Sequence, residues 1–301
     1  MAQTLSVIVP VHNESACIRH FYDRAKPVLE SLGAAWEIVF VNDASEDDSL
    51  ERITALRRED PRVKFLTLSR NFGYHAALMA GISSRESDLY AIIDVDCEDP
   101  PEMLAQFYSE ISKGAHTAYG IRSQRDEPAG IIFFRWLFYW INRQIADGPV
   151  RLWMAEFSMM TRTVRDAVLA HKTTFPFLRA ELGYVGYRMT GIPYFRARRQ
   201  HGASHYNFFQ MTKFALAGFL SSSTFPLRFA LYLSGFMAAS YAAVVAAFSL
   251  DLARAAQVAA IGTFVFALLT VPILALYLAR TYKNVSPRPV FYVDPGGTQL
   301  S

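Results

Sequence analysis

The sequence predicts an α/β fold, a doubly wound and mostly parallel sheet, followed by a hairpin of two transmembrane helices. Three observations predict it. Short β-branched runs alternate with helical patterns over the first hundred residues, the pattern of strands joined by crossover helices. Each run ends in a polar loop, and in a parallel sheet such loops gather on one edge. Two long uncharged stretches, Phe229 to Leu250 and Ala255 to Ala279, lie near the C-terminus.

The elements follow in order. Leu5 to Val11 is a buried parallel strand ending at His12-Asn13-Glu14, and a helical pattern then continues to about Leu32, where Gly33 caps it. Trp36 to Val41 is the second strand; after Asn42-Asp43, Ser45 is the expected N-cap of a helix from Ser49 to Arg58. Val63 to Leu68 is the third strand, followed by Ser69-Arg70-Asn71-Phe72-Gly73 and a helix to about Ser83. Leu89 to Ile93 is the fourth. It runs into Asp94-Val95-Asp96-Cys97-Glu98-Asp99-Pro100-Pro101-Glu102, where the prolines and Glu102 suit a helix start.

That acidic stretch is the first candidate for chemistry. Side chains alternate along an extended chain, so Asp94, Asp96 and Glu98 are expected on one face. Carboxylates so placed repel unless a cation sits between them, and all-oxygen ligation suits Mg²⁺ or Mn²⁺. A bare D-x-D is more often the pattern of a solvated turn, so its neighbours decide.

Bulk composition narrows the classes. Lys and Arg total 30 against 27 Asp and Glu, and a net charge of +3 with no basic, aromatic-interleaved run argues against nucleic acid. Two cysteines give neither a disulfide framework nor a zinc site. No glycine-rich phosphate loop of the dinucleotide or P-loop type is present. Met1 to Thr4 leads straight into a strand pattern, so no secretory signal is expected.

The two uncharged stretches reach roughly 33 and 37 Å as helices, enough to cross a hydrocarbon core of about 30 Å. Lys213, Arg228, Arg280, Lys283 and Arg288 flank the outer ends, with Arg254 alone at the turn. The positive-inside rule then expects both termini and the N-terminal α/β domain in the cytoplasm, at the inner membrane. Pro272 is expected to kink the second helix. Residues 131–145, dense in Phe, Trp and Tyr with Arg135, suit a helix in the headgroup region, or alternatively a core helix. The expected layout is a catalytic domain over 1–205, an amphipathic connector over 206–228, and membrane helices at 229–250 and 255–279 within 229–280. A tail over 281–301 completes it, with a short strand near Arg288 to Val293.

Four segments carry a resemblance. Val-Ile-Val-Pro-Val-His-Asn-Glu (7–14), Val-Asn-Asp-Ala-Ser-Glu-Asp-Asp-Ser (41–49), Leu-Ser-Arg-Asn-Phe-Gly (68–73) and the acidic stretch 94–102 resemble family 2 glycosyltransferases of GT-A fold. Within these the chain is similar to the polyisoprenyl-phosphate glycosyltransferases. The resemblance implies a nucleotide-sugar donor (UDP the expected nucleotide), a divalent metal, inversion at the anomeric carbon and polyprenyl phosphate as acceptor. It also implies a homo-oligomer, a tetramer in resembling proteins.

By the same resemblance, Pro10, Val11, Asn13, Glu14, Asp43, Arg70, Gly73, Asp94 and Val95 border the nucleotide sugar, and Asp94, Asp96 and Glu98 the metal. Glu156 stands where the family has the aspartate assigned as catalytic base. The acceptor phosphate is already largely dianionic at pH 7, its second pKa being about 6, so orientation matters more than deprotonation. Glu156 is thus a base or an acid holding an arginine. Residues 192–206 resemble an R-x-x-R-x-x-G-x-S-K-Y segment, with Arg196, Arg199, Ser204 and His205 on the lipid phosphate or departing diphosphate. Asp96, Glu156 and Arg199 are the expected catalytic group. The chain departs from the family pattern in Asn42-Asp43-Ala44-Ser45 for D-D-G-S, Glu98 for glutamine, Glu156 for aspartate and His205 for lysine. A processive synthase would carry a Q-x-x-R-W motif, a nucleotidyltransferase a glycine-rich loop near residue 15, and a scaffold would not need the acids.

Overall fold

A computed structural model of the chain describes residues 3–122, 154–171, 173, 176–196, 223–247, 251–286 and 288–300. Strands β1 (Thr4–Val11), β2 (Ala35–Asn42), β3 (Val63–Leu68) and β4 (Leu89–Ile92) alternate with helices α1 (Ser15–Ser31), α2 (Ser49–Glu59) and α3 (Tyr74–Ser83). Then come α4 (Met103–Ser112), β5 (Thr117–Arg122), β6 (Met154–Thr161), α5 (Arg162–Ala170), α6 (Leu178–Tyr184) and β7 (Met189–Tyr194). Two long helices, α7 (Phe225–Ala247) and α8 (Leu252–Val285), precede a last strand, β8 (Val293–Gln299).

The strands form one sheet in the order β7-β5-β6-β4-β1-β2-β3-β8. The four expected strands make its parallel centre, β4-β1-β2-β3. β6 runs antiparallel to β4 and to β5, β7 runs parallel to β5, and β8 runs antiparallel to β3. Because β6 and β8 enter the sheet where the parallel strands leave it, the edge at Val11, Asn42, Leu68 and Ile92 also receives Met154, Arg122, Tyr194 and Val293. We call this the carboxyl edge.

Period-2 patterning divides the core between two faces. On β1, Leu5, Val7, Val9 and Val11 join Ile18 and Phe21 of α1, Ile53 of α2 and Phe107 of α4. Ile8, with Val39 and Val41 of β2, joins Leu78 of α3, Val164 of α5 and Leu182 of α6. Helices therefore cover both faces, as central strands buried on two sides require.

Helices α7 and α8 are long and apolar enough to cross a membrane. They pack on each other, with the Tyr241 hydroxyl 2.6 Å from Thr263 Oγ1. Phe236, Leu231, Phe264 and Leu268 remain exposed, which a core helix of a water-soluble protein avoids. α8 begins at Leu252 and ends at Val285, so at about 1.5 Å per residue it is near 51 Å long, well beyond the hydrocarbon core. Pro272 lies inside it. The tail strand is Val293–Gln299 rather than Arg288 to Val293, and it completes the sheet. The aromatic stretch 131–145 and most of the connector 206–228 lie outside the described residues.

Candidate active site

The β4–β6 register organises the site. Leu89 pairs with Thr161 and Ile92 with Ser158. Beyond that last pair, Asp94 and Glu156 both lie close enough for their charges to act on Tyr74. Tyr74, in the first turn of α3, donates its hydroxyl to Asp94 Oδ1 at 2.8 Å. Burial, and then the charges of Asp94 and Glu156, hold that hydroxyl well above the ordinary phenol range. On Asp94, burial first, then Asp99 and Asp96, push the carboxyl up to about 7. One hydrogen-bond donor does not compensate two neighbouring acids.

Asp96 turns inward on its own loop, with Oδ1 accepting from the Glu98 N–H at 3.0 Å. Cys97 sits in the left-handed region at φ 55°, so the chain bends there. Glu98 consequently leaves the face it was expected to share and pairs with Arg196. The bend at Cys97 departs from the extended chain on which Asp94, Asp96 and Glu98 were expected to share a face. Among the described residues no three His, Cys, Asp or Glu side chains converge as a metal cage. Two carboxylates do fit a Mg²⁺-type ion, which is commonly held by one or two carboxylates plus substrate phosphate. The elevated Asp94 carboxyl, crowded by acids, is the electrostatic condition a cation relieves.

Asp99 anchors the loop. It is buried and accepts from the Tyr194 hydroxyl and from Arg122 Nη2 at 3.3 Å, while Arg122 Nε donates to the Tyr194 oxygen at 3.1 Å. Arg196 Nε lies 3.7 Å from Asp99. Arg196 is thus seated on Glu98 and Asp99, beside the acids.

On β6, Glu156 is buried, and its Oε1 accepts from Arg179 Nε at 2.6 Å. Arg179 also donates to the Met154 carbonyl at 3.0 Å, which fixes its fork. Glu156 Oε2 is buried with no hydrogen-bond partner among the described residues, a costly state for a carboxylate oxygen. His75 lies next in α3, its ring 5.1 Å from Phe177. Burial lowers its pKa, so the imidazole is neutral at pH 7.

The β1, β2 and β3 loops interlock. Asp43 is buried, and its two oxygens accept from the N–H groups of Phe72 at 2.7 Å and Gly73 at 2.8 Å. Gly73, at φ 91°, supplies the turn that presents both donors. His12 Nδ1 lies 2.9 Å from the Asp43 carbonyl, so it carries the proton, and Nε2 accepts from Asn71 Nδ2 at 2.9 Å. Asn13 Oδ1 accepts from Glu46 N–H at 2.8 Å, and Ser45 Oγ accepts from Asn13 N–H at 3.1 Å. Ser45 is therefore a brace between loops, and Asp48 occupies the N-cap of α2 instead. Glu14 is the N-cap residue of α1. The Arg70 guanidinium lies over the Phe72 ring, 3.9 Å from its centroid. Pro10 and Val11 end β1, and Val95 is buried behind the acids.

Comparison with known proteins decides the family. Residues 6–175 match the model of "Glycosyl transferase family 2". The chain belongs to that family. The bactoprenol glucosyl transferase of Shigella phage SfV is 33% identical, over 78% of this chain and 76% of that protein. The undecaprenyl-phosphate 4-deoxy-4-formamido-L-arabinose transferase of Salmonella paratyphi B is 29% identical, over 96% of this chain and 92% of its own. Among solved structures, glucosyl-3-phosphoglycerate synthase from Mycobacterium tuberculosis in complex with UDP superposes with a TM-score of 0.51. Its identity is 17%, and the match covers 73% of this chain and 79% of that one. The fold is thus that of a GT-A glycosyltransferase.

In this glycosyltransferase the expected residues Pro10, Val11, Asn13, Glu14, Asp43, Arg70, Gly73, Asp94, Val95, Asp96, Glu98, Glu156 and Arg196 all lie on strands or loops of the carboxyl edge. Arg199, Ser204 and His205 lie outside the described residues. Sequence reasoning missed Tyr74, Arg122, Arg179 and Tyr194. Tyr74 follows a strand-end loop directly, a position that signals the carboxyl edge. Arg122, Arg179 and Tyr194 carry no local signal, because pairing between distant strands brings them in.

Proposed function

We propose that this family 2 glycosyltransferase transfers a sugar from a nucleotide-sugar donor to polyprenyl phosphate at the cytoplasmic face of a membrane. One observation carries the reading: the membrane hairpin returns to the acid-lined edge of the sheet. β8 starts at Val293, paired with Leu68 beside the Arg70–Gly73 loop, eight residues after α8 ends at Val285. Eight residues span at most about 28 Å, so Val293, on the same edge of the sheet as the acids, lies within that reach of the helix end. An acceptor whose phosphate sits at headgroup level suits that placement. The names of the relatives, with bactoprenol and undecaprenyl phosphate in them, point to the same acceptor class.

In this reading a phosphate oxygen of the lipid attacks the anomeric carbon. The bond from that carbon to the donor diphosphate breaks, and the nucleoside diphosphate leaves with the electron pair. Asp94 and Asp96 are the residues to hold Mg²⁺ or Mn²⁺, which when bound supplies positive charge to the departing diphosphate. Arg196, released from Glu98, adds a guanidinium fork. Glu156, fixed by Arg179, turns its bare oxygen into the site to orient the acceptor or a sugar hydroxyl. A dianionic phosphate needs no general base, which suits a glutamate committed to an arginine. The basic residues flanking α7 and α8 favour a cytoplasmic catalytic domain.

The test uses the purified full chain in detergent, a panel of nucleotide sugars, undecaprenyl phosphate and Mn²⁺ or Mg²⁺. One sugar should appear on the lipid phosphate with an equal amount of nucleoside diphosphate, and EDTA should stop the transfer. Turnover confined to water or to soluble acceptors would overturn the reading.

A further inference from the structure

Between the membrane helices and the catalytic sheet the chain makes a contact that packing alone does not require. β3 would be an edge strand without β8, and a shorter cover would protect it. Instead the tail reaches past the strand end. The Tyr292 carbonyl accepts the Ser69 N–H at 2.9 Å, and its ring lies 6.1 Å from the Phe72 ring. Phe72 is the residue whose N–H Asp43 grips, with Gly73 beside it. The loop Ser69–Gly73 is therefore held from two sides, by a carboxylate from β2 and by an aromatic ring from the tail.

The seating of β8 is built in detail. Phe65 pairs with Gln299 but Thr67 with Asp294, so the strand bulges between them. Asp294 Oδ1 accepts from Gly296 N–H at 3.0 Å, and Thr298 Oγ1 donates to the Asp294 carbonyl at 2.7 Å and accepts from Thr67 N–H at 3.1 Å. A Cβ on Gly297 would come within 3.1 Å of Thr67 Cβ, so glycine permits the close approach. Beyond the strand, Arg85 Nη1 donates to the Leu300 carbonyl at 2.7 Å while its fork grips Glu37. A bulge fixed by its own side chains sets the register, and the register sets where Tyr292 falls.

We propose that Tyr292 is a positioning residue for the nucleotide-sugar site, coupling the end of the membrane hairpin to the Ser69–Gly73 loop. This rests on the proposed function, since it takes that loop to border the donor. Phe72 keeps its backbone donor on Asp43 when its ring is braced. Without the brace the loop samples other positions, and donor binding weakens while acceptor binding does not.

The experiment compares the full-length wild-type chain with Tyr292→Leu, which keeps apolar volume, and Tyr292→Phe, which keeps the ring. Tyr292→Leu should raise KM for the nucleotide sugar about five-fold, the scale of one aromatic pair, with kcat and the KM for undecaprenyl phosphate unchanged. Amide hydrogen exchange at 69–73 should quicken in the same variant, and Tyr292→Phe should match wild type in both readouts. Unchanged donor KM and exchange in Tyr292→Leu would overturn the proposal, as would equal rises in both KM values. A wild-type chain inactive across the donor panel would overturn the proposed function instead, and the exchange readout would still decide whether Tyr292 braces the loop.

Discussion

Two aspartates, the buried Asp60 and the half-buried Asp94, occupy opposite edges of one sheet and live in opposite environments. Asp60, just before β3, accepts from the Tyr22 hydroxyl at 2.8 Å and from Arg62 through its backbone N–H at 2.9 Å and Nη2 at 2.7 Å. Those Arg62 hydrogen bonds hold its carboxyl well below the usual range. Asp94 has the Tyr74 hydroxyl and two acids for company, and its carboxyl is pushed up to about 7. Backbone strain divides the same way. The described non-glycine residues with positive φ, Asn13 at 57°, Ala44 at 50° and Cys97 at 55°, all lie in carboxyl-edge loops. One edge is satisfied and serves stability; the other is frustrated and is where a ligand gains.

Exchanging the carboxylates tests that division most severely. Asp94→Asn keeps an acceptor for Tyr74 and removes a charge from the acid cluster. It should cut sugar transfer about 10²- to 10³-fold, the size of a lost transition-state electrostatic contact, while the melting temperature without metal rises. The shift in melting temperature on adding Mn²⁺ should also vanish. If Asp94→Asn lowered the melting temperature and kept its activity, the two edges would not differ as described.

Asp60→Asn should do the reverse, costing about 2 kcal/mol at pH 7 with turnover per folded molecule intact. The sign follows from linkage. Asp60 has a lower pKa folded than unfolded, so the unfolded chain binds more protons as pH falls below the ordinary carboxylate range of about 4. Its stabilisation is therefore complete at neutral pH and is lost toward acid. Thermal melts of wild type and Asp60→Asn should converge as pH is lowered from 6 to 3. Parallel curves would show that Asp60 does not carry the acid sensitivity.

Glu98 sharpens the comparison, since it lies among the frustrated acids yet pairs with Arg196. Glu98→Gln should leave the Mn²⁺ concentration for half-maximal activity unchanged and lower the KM for the nucleotide sugar about three-fold, because Arg196 no longer has to exchange an ion pair. A metal requirement raised about ten-fold or more would instead make Glu98 a ligand.

How far the sequence carries is visible in these same residues. β1 to β4 were legible because buried parallel strands are nearly unbroken apolar runs, and their loops had to share an edge. Asp94 and Asp96 were legible for the same reason. The Glu98–Arg196 pair was not legible, because alternation holds for an extended chain and the positive φ of Cys97 has no strong sequence signal. Arg179, Arg122 and Tyr194 were invisible, since pairings such as Ile121 with Met154 and Arg122 with Tyr194 are set by the assembled sheet. The tail strand was shifted by several residues because Asp294-Pro295-Gly296-Gly297 reads as a turn, and only the bulge against Thr67 makes it part of a strand.

Ala44 gives the smallest effect. It occupies φ 50°, where its Cβ crowds the following carbonyl at a cost of about 1–2 kcal/mol that glycine avoids. Glycine brings back about 0.5–1 kcal/mol through the greater freedom of the unfolded chain. The difference leaves Ala44→Gly more stable by about 0.5 kcal/mol, or roughly 1–2 °C in melting temperature. Asn42 Oδ1 accepts from the Ser45 N–H at 3.0 Å across this turn, so the loop keeps its shape in the variant. The same substitution at Ser31, a helical position near the end of α1, should destabilise by about the usual helix penalty of glycine. If Ala44→Gly lost stability as Ser31→Gly does, the carboxyl edge would carry no backbone strain at Ala44, and the contrast between the edges would rest on charge alone.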